Sequence, residues 1–234
     1  MALISESDQE RLRESFRQMS RRVRLLFFTQ TLGCETCPQT RRILDEFPAL
    51  SDKVGIEEIN FVLEPDKASQ YGIDRVPAIA IVYEDAGDAE RGPGEGGGAL
   101  GSIKDSRIRF LGTPAGYEFI SLVQAVLLAG GRESMLTPQS LSRIAAVDQP
   151  VTLRVFTTPT CPHCPRAVTL AHEMAFASPQ ITAYAVEATE FPDLASQYRV
   201  NGVPKTVVNE DIEILGALPE DAFVEQALGQ PTHD

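Results

Sequence analysis

The chain repeats itself. Cys34-Glu35-Thr36-Cys37-Pro38 returns as Cys161-Pro162-His163-Cys164-Pro165, an offset of 127 residues. The same offset carries Ala68-Ser69-Gln70-Tyr71 onto Ala195-Ser196-Gln197-Tyr198 and Val76-Pro77 onto Val203-Pro204. All four cysteines belong to the two C-x-x-C pairs, and in each half the proline of a Val-Pro lies 43 positions beyond the first cysteine. A length of 234 residues with 43 % hydrophobic content can bury a good core in one domain or two. The duplication selects two, over 1–130 and 131–234, with the boundary near Gly130-Gly131. Each copy carries its own dithiol.

Charge and hydropathy remove whole classes of function. The net charge is −12 and no basic stretch extends beyond Arg21-Arg22-x-Arg24, so the electrostatic footprint of a nucleic-acid binder is missing. Met1 to Ser20 is rich in Glu, Asp, Arg, Gln and Ser and lacks the apolar centre of a signal peptide, so a cytoplasmic location is expected. No apolar run reaches membrane-spanning length, and no membrane partner is expected. Cytosolic reductants keep ordinary thiols reduced, so paired cysteines in such a chain point to catalysis or metal rather than to structural bridges.

Hydrophobic patterning predicts the same order of elements in both halves. The first reads as a helix over 7–19, a strand over 23–28, a helix from Pro38 ended by Pro48, and a strand over 56–63. A short helix over 66–71, strands over 78–83 and 108–111, and a helix over 114–129 complete it. The second half predicts a helix over 138–147, a strand over 151–156, a helix over 166–177, a strand over 181–186 and a helix over 192–198. A hairpin over 205–208 and 212–215 and a helix over 221–228 follow. The halves differ in one place. Extra residues lie between the last two strands of the first half, within about 84–106, and seven of the fifteen residues from Gly87 to Gly101 are glycine. That composition offers little apolar surface against its ordering entropy, and it reads as an exposed, mobile hairpin extension.

Disulfide exchange requires one accessible thiol poised as thiolate and a second within reach to resolve the mixed disulfide. Two intervening residues at a helix start supply both, because free amides and the helix dipole there favour the thiolate. Cys34 and Cys161 are the expected nucleophiles, and Cys37 and Cys164 the resolving thiols. Val76-Pro77 and Val203-Pro204 are the expected cis bonds, where a proline without an amide proton leaves room beside the sulfurs. Glu35, His163 and Glu187 are candidates for tuning thiol pKa values: Glu35 by repelling a thiolate at Cys34, His163 by attracting one at Cys161. Glu187 is either a proton acceptor for Cys164 or a strand-end carboxylate in water. Zinc is disfavoured because each pair lies in its own copy, far beyond the spacing of a shared site, and no metal is assigned. His172 and His233 are expected on the solvated surface.

Strand, C-x-x-C-P helix, strand, helix, Val-Pro, hairpin and helix is the order of the thioredoxin fold. Doubled in one chain, it resembles the protein disulfide oxidoreductases of thermophilic prokaryotes, glutaredoxin-like two-domain relatives of protein disulfide isomerase. The more specific pieces are Gly112-Thr113-Pro114-Ala115-Gly116-Tyr117-Glu118-Phe119 and Val186-Glu187-Ala188-Thr189-Glu190-Phe191-Pro192. The resemblance implies an α/β fold of two tandem thioredoxin-fold domains, each a central mixed sheet flanked by helices. It implies oxidation, reduction and isomerisation of disulfides in protein substrates, with electrons exchanged with a thioredoxin-reductase-like flavoprotein and no cofactor of its own. Two other functions compete: a dedicated electron carrier between a flavoprotein disulfide reductase and a peroxidase, with a peroxiredoxin as partner, and a redox-regulated chaperone or binding module.

Overall fold

The computed structural model describes residues 5–85 and 102–229. The first half gives α1 (Glu6–Arg17), β1 (Val23–Thr29), α2 (Cys37–Leu44), α3 (Glu46–Leu50), β2 (Val54–Asn60), α4 (Pro65–Gln70), β3 (Ala78–Glu84), β4 (Ile103–Leu111) and α5 (Glu118–Ala129). The second gives α6 (Pro138–Ala145), β5 (Val151–Thr157), α7 (Cys164–Ala177), β6 (Ile181–Glu187), α8 (Pro192–Gln197), β7 (Lys205–Val208), β8 (Ile212–Leu215) and α9 (Glu220–Leu228). The two thioredoxin-like units share one mixed sheet in the order β2-β1-β3-β4-β6-β5-β7-β8. Four strands come from each unit, and the seam is a parallel ladder from Ile108↔Ala183 to Leu111↔Val186.

Alternation along the strands sends side chains to two cores, one on each face of the sheet. Leu25 and Phe27 of β1 join the core covered by α1–α3, α5–α7 and α9, while Leu26 and Phe28 join the smaller core under α4 and α8. The larger core is continuous across the seam because α7 packs on α5 and β4 as well as on its own β5 and β6. Polar contacts reinforce this junction. Arg107 Nε donates to the carbonyls of Ala175 and Ser178 at the C-terminus of α7, across the two units; within the second unit the buried Glu173 of α7 accepts from Arg132 Nη2 at 2.6 Å and Ser134 Oγ at 2.7 Å.

Several boundaries depart from the sequence reading for local reasons. Pro48 does not end a helix; the chain turns at Asp45, and Pro48 sits in the first turn of α3, where the missing N–H has no helical acceptor to lose. Strand β2 stops at Asn60, whose Oδ1 accepts from the amides of Val62 and Leu63 and closes a turn. Helix α5 starts at Glu118 rather than Pro114, because Gly112 and Gly116 take φ of 92° and 59° and hold residues 112–117 in a turn. Strand β4 begins before Ile108, at Ile103, across a bulge where Arg107 has a φ of 60° and Ser106 Oγ donates to Ile81 O at 2.6 Å. The glycine-rich stretch 87–101 and His233 lie outside the described residues.

Candidate functional site

Strands β1, β2, β4, β5 and β6 all run in one direction, so the loops after β1 and β5 leave from the same edge of the sheet. Cys34 and Cys161 lie in those two loops, and Cys37 and Cys164 open α2 and α7. Both pairs are disulfide-bonded, each with Cα atoms 5.5 Å apart. β3 and β7 run the other way, which brings Pro77 and Pro204, at their starts, to the same edge. Val76-Pro77 and Val203-Pro204 are the two cis peptide bonds among the described residues. Both prolines are buried, both valines are half-buried, and the proline carbonyls accept from Gly112 N and Gly216 N at 2.9 Å.

Within each motif the first cysteine is the more accessible. Cys34 is half-buried and Cys37 is 4 % exposed; Cys161 is 8 % exposed and Cys164 is fully buried. The Cys164 amide, at the start of α7, donates to Cys161 Sγ at 3.1 Å. A free amide aimed at a sulfur is the interaction that favours a thiolate there once the disulfide is reduced. Glu35 and His163 are exposed on their loops. Four strand steps separate β1 from β5, so the two sites stand about 19 Å apart along the edge. The pairs cannot share one zinc ion, which needs all four sulfurs at about 2.3 Å.

Glu187 ends β6 and is buried, not solvated. Its carboxylate accepts from the Thr189 and Glu190 amides, at 3.2 and 2.6 Å, and from the Thr189 hydroxyl at 2.8 Å. Asn60, its counterpart at the offset of 127, closes the matching turn of the first unit, so this position shapes the loop after the second strand in both copies. His172 corrects a second expectation. It is buried on α7 with its ring edge-on to Phe110 of β4 at 5.0 Å, because the face of α7 that carries it covers the seam.

Two carboxylates beside the sites were not singled out from the sequence. Glu118 opens α5, is 3 % exposed, and burial pushes its pKa up to about 7. The Ser121 hydroxyl opposes that rise without a hydrogen bond of normal geometry. Glu118 lies close to the second motif's loop: the Tyr117 amide donates to Pro159 O at 3.0 Å, two residues before Cys161, and α5 packs against α7. Glu190 of the second unit bonds to Thr36, inside the first motif. The signal available in the sequence was membership of the two quoted segments around Gly112 and Val186, without any indication of what they touch.

Comparison with known proteins agrees with this geometry. The family model for the thioredoxin domain matches residues 151–229. A thioredoxin of Methanocaldococcus jannaschii is 37 % identical over 76 residues, covering 32 % of this chain and 89 % of the relative. The AhpF component of alkyl hydroperoxide reductase from Pseudomonas putida is 29 % identical over 132 residues, covering 53 % of this chain; the chain spans only 25 % of that relative's length. Among solved structures, the NTD_N/C domain of alkylhydroperoxide reductase AhpF from Enterococcus faecalis superposes with a TM-score of 0.83 at 26 % identity, covering 97 % of this chain and 100 % of the other. A protein disulfide oxidoreductase from Aeropyrum pernix gives 0.80 at 28 % identity, with 95 % and 91 % covered. The chain belongs to the thioredoxin family, as two thioredoxin-fold units in tandem, each with a C-x-x-C disulfide.

Proposed function

We propose that the chain, with units over 1–130 and 131–234, is a thiol-disulfide oxidoreductase and isomerase acting on protein disulfides through both sites. The observation that carries this reading is the matched pair of disulfides on one edge of the sheet, each with a first cysteine more exposed than the second and a Val-Pro at the same edge. In the reducing direction the Cys161 thiolate attacks a substrate disulfide, forms a mixed disulfide and releases one substrate thiolate. Cys164 loses its proton and attacks Cys161 Sγ; the second substrate sulfur leaves, and two electrons and two protons have passed to the substrate. Glu118, with a pKa near 7 at the start of α5, supplies the proton acceptor for Cys164. Cys34 and Cys37 divide the same roles in the first unit. Leu32, Val62 and Leu63 are exposed on the loops after β1 and β2, beside the first site, and offer an apolar contact surface suited to a protein substrate.

A thioredoxin-reductase-like flavoprotein returns the dithiols to the reduced state in this reading. The likeness of the whole chain to the N-terminal domain of AhpF favours a second reading, a dedicated relay from a flavoprotein reductase towards a peroxiredoxin. Insulin reduction and reactivation of scrambled ribonuclease test the first. Failure in both, with reductase-driven peroxide turnover when a peroxiredoxin is added, would establish the relay instead. Binding of unfolded chains without any turnover would leave the chaperone.

A further inference from the structure

The first site is not built by the first unit alone. Thr36, between Glu35 and Cys37, caps α2 without bonding any helix amide. Its hydroxyl donates instead to Glu190 Oε2 of the second unit at 2.5 Å, and Glu190 Oε1 accepts from the Thr113 amide at 2.7 Å. Thr113 Oγ1 in turn lies 2.8 Å from Thr40 Oγ1 on α2. Gly112 leaves room for this approach: at its φ of 92°, a Cβ would lie 2.6 Å from Glu187 Cβ and 3.3 Å from Glu190 Oε1. On the other side of the site Arg75, which precedes Val76-Pro77, donates to Asp193 at 3.2 Å and lies over the Phe191 ring. Residues 190–193 of the second unit thus hold both the C-x-x-C loop and the cis-proline loop of the first.

We propose that Glu190 is a positioning and charge-setting residue for the Cys34–Cys37 site, a negative charge lent by the second unit that holds the Cys34 thiol protonated to higher pH and makes the dithiol the stronger reductant. The assignment rests on the redox reading above. A thiolate formed at Cys34 places a second negative charge at the end of α2 where Glu190 already sits, and like charges disfavour the ionised form. The remaining charges around the motif do not cancel it. Glu35 is acidic and exposed, and Arg75 is matched by Asp74 and Asp193. Arg41, on α2, is taken by Asp45 and Glu58, while Arg42 points to solvent and Glu187 adds another carboxylate behind the Glu190 amide. The equilibrium affected is Cys34–Cys37 disulfide plus two glutathione thiols giving the dithiol plus glutathione disulfide, with two electrons and two protons moving to the protein.

The test uses the full chain carrying Cys161→Ser and Cys164→Ser, with and without Glu190→Gln or Glu190→Ala. Gln keeps both hydrogen bonds, with the Thr36 hydroxyl turned to accept, and removes only the charge. The pH dependence of alkylation by iodoacetamide reads the Cys34 thiol. Its acid dissociation constant should rise about tenfold in Glu190→Gln, the size of effect one neighbouring charge produces. The glutathione equilibrium should move towards the dithiol, most strongly at alkaline pH where the thiolate is populated. An unchanged constant in Glu190→Gln, or a shift confined to Glu190→Ala, overturns the assignment by reducing Glu190 to a packing contact. A first site that glutathione fails to reduce in the parent overturns the redox reading itself, and this assignment with it.

Discussion

The cysteines of the second motif are both largely buried, but Cys161 is 8 % exposed and Cys164 not at all, so Cys161 is the sulfur a substrate meets first. Cys161→Ser should therefore abolish most disulfide exchange at that site, while Cys164→Ser should accumulate a long-lived mixed disulfide with substrate. Non-reducing gels of the trapped species check this, and equal residual turnover in the two variants would contradict it. Glu118 adds a pH signature. Its carboxyl ionises as the pH rises through about 7, so resolution of the mixed disulfide should accelerate through that range. Glu118→Gln should remove the inflection and slow the step by about a hundredfold, the lower end of what a positioned base contributes. Stopped-flow rates in a Cys34→Ser/Cys37→Ser background provide the measurement. His172 works on stability. Its pKa is depressed to about 3 by burial, against an ordinary 6.5, with a weak opposing backbone contact at Arg109 and no hydrogen-bonded partner of normal geometry on either ring nitrogen. Below pH 6.5 the unfolded chain takes up a proton that the folded chain refuses, so stability falls with pH. By about pH 5 the loss is about 2 kcal/mol. His172→Leu should flatten that part of the urea-denaturation profile; an unchanged slope would place the acid sensitivity elsewhere.

Turns at the cysteine-bearing edge tie the two units to each other's motifs. Patterning opens a helix at Pro114, yet residues 112–117 form the turn through which the first unit touches the loop of the second motif. Gly116 is in the left-handed region, and a Cβ there would lie 2.2 Å from Pro159 O. Gly116→Ala should cost about 1–2 kcal/mol from the backbone conformation alone, and more if the Tyr117 amide loses Pro159. A lower urea midpoint together with altered Cys161 reactivity is the expected result. A lower midpoint with native reactivity would separate the turn from the site. The reciprocal element is the loop after β6, whose Glu190 reaches Thr36 while Glu187 holds the turn beneath it.

At the scale of the molecule the shared sheet fixes how the sites relate. About 19 Å along a continuous eight-stranded edge leaves no direct contact between Cys34 and Cys161, so electrons should pass between sites only through a substrate or a second molecule. The acidic groups at the first site and the helix amide at Cys161 should make the second pair the more oxidising; a difference of ~30 mV would correspond to ~1.4 kcal/mol for the two-electron couple. Mixing the two single-site double-Cys→Ser variants should give exchange at a rate that grows with concentration, ending with electrons on the second site. A concentration-independent exchange in the intact chain would contradict the rigid spacing. The sequence by itself determined the duplication, the two dithiols, the two Val-Pro positions and nearly every element, because periodicity and C-x-x-C spacing are local properties that each copy repeats. Only the tertiary structure decided that β4 pairs with β6, that α7 buries His172 over the seam, and that the turn leading into Glu118 and the carboxylate of Glu190 each reach the opposite unit's motif. Those contacts join residues about 40 to 150 positions apart across a junction that occurs once, so no repeat or period in the chain could announce them.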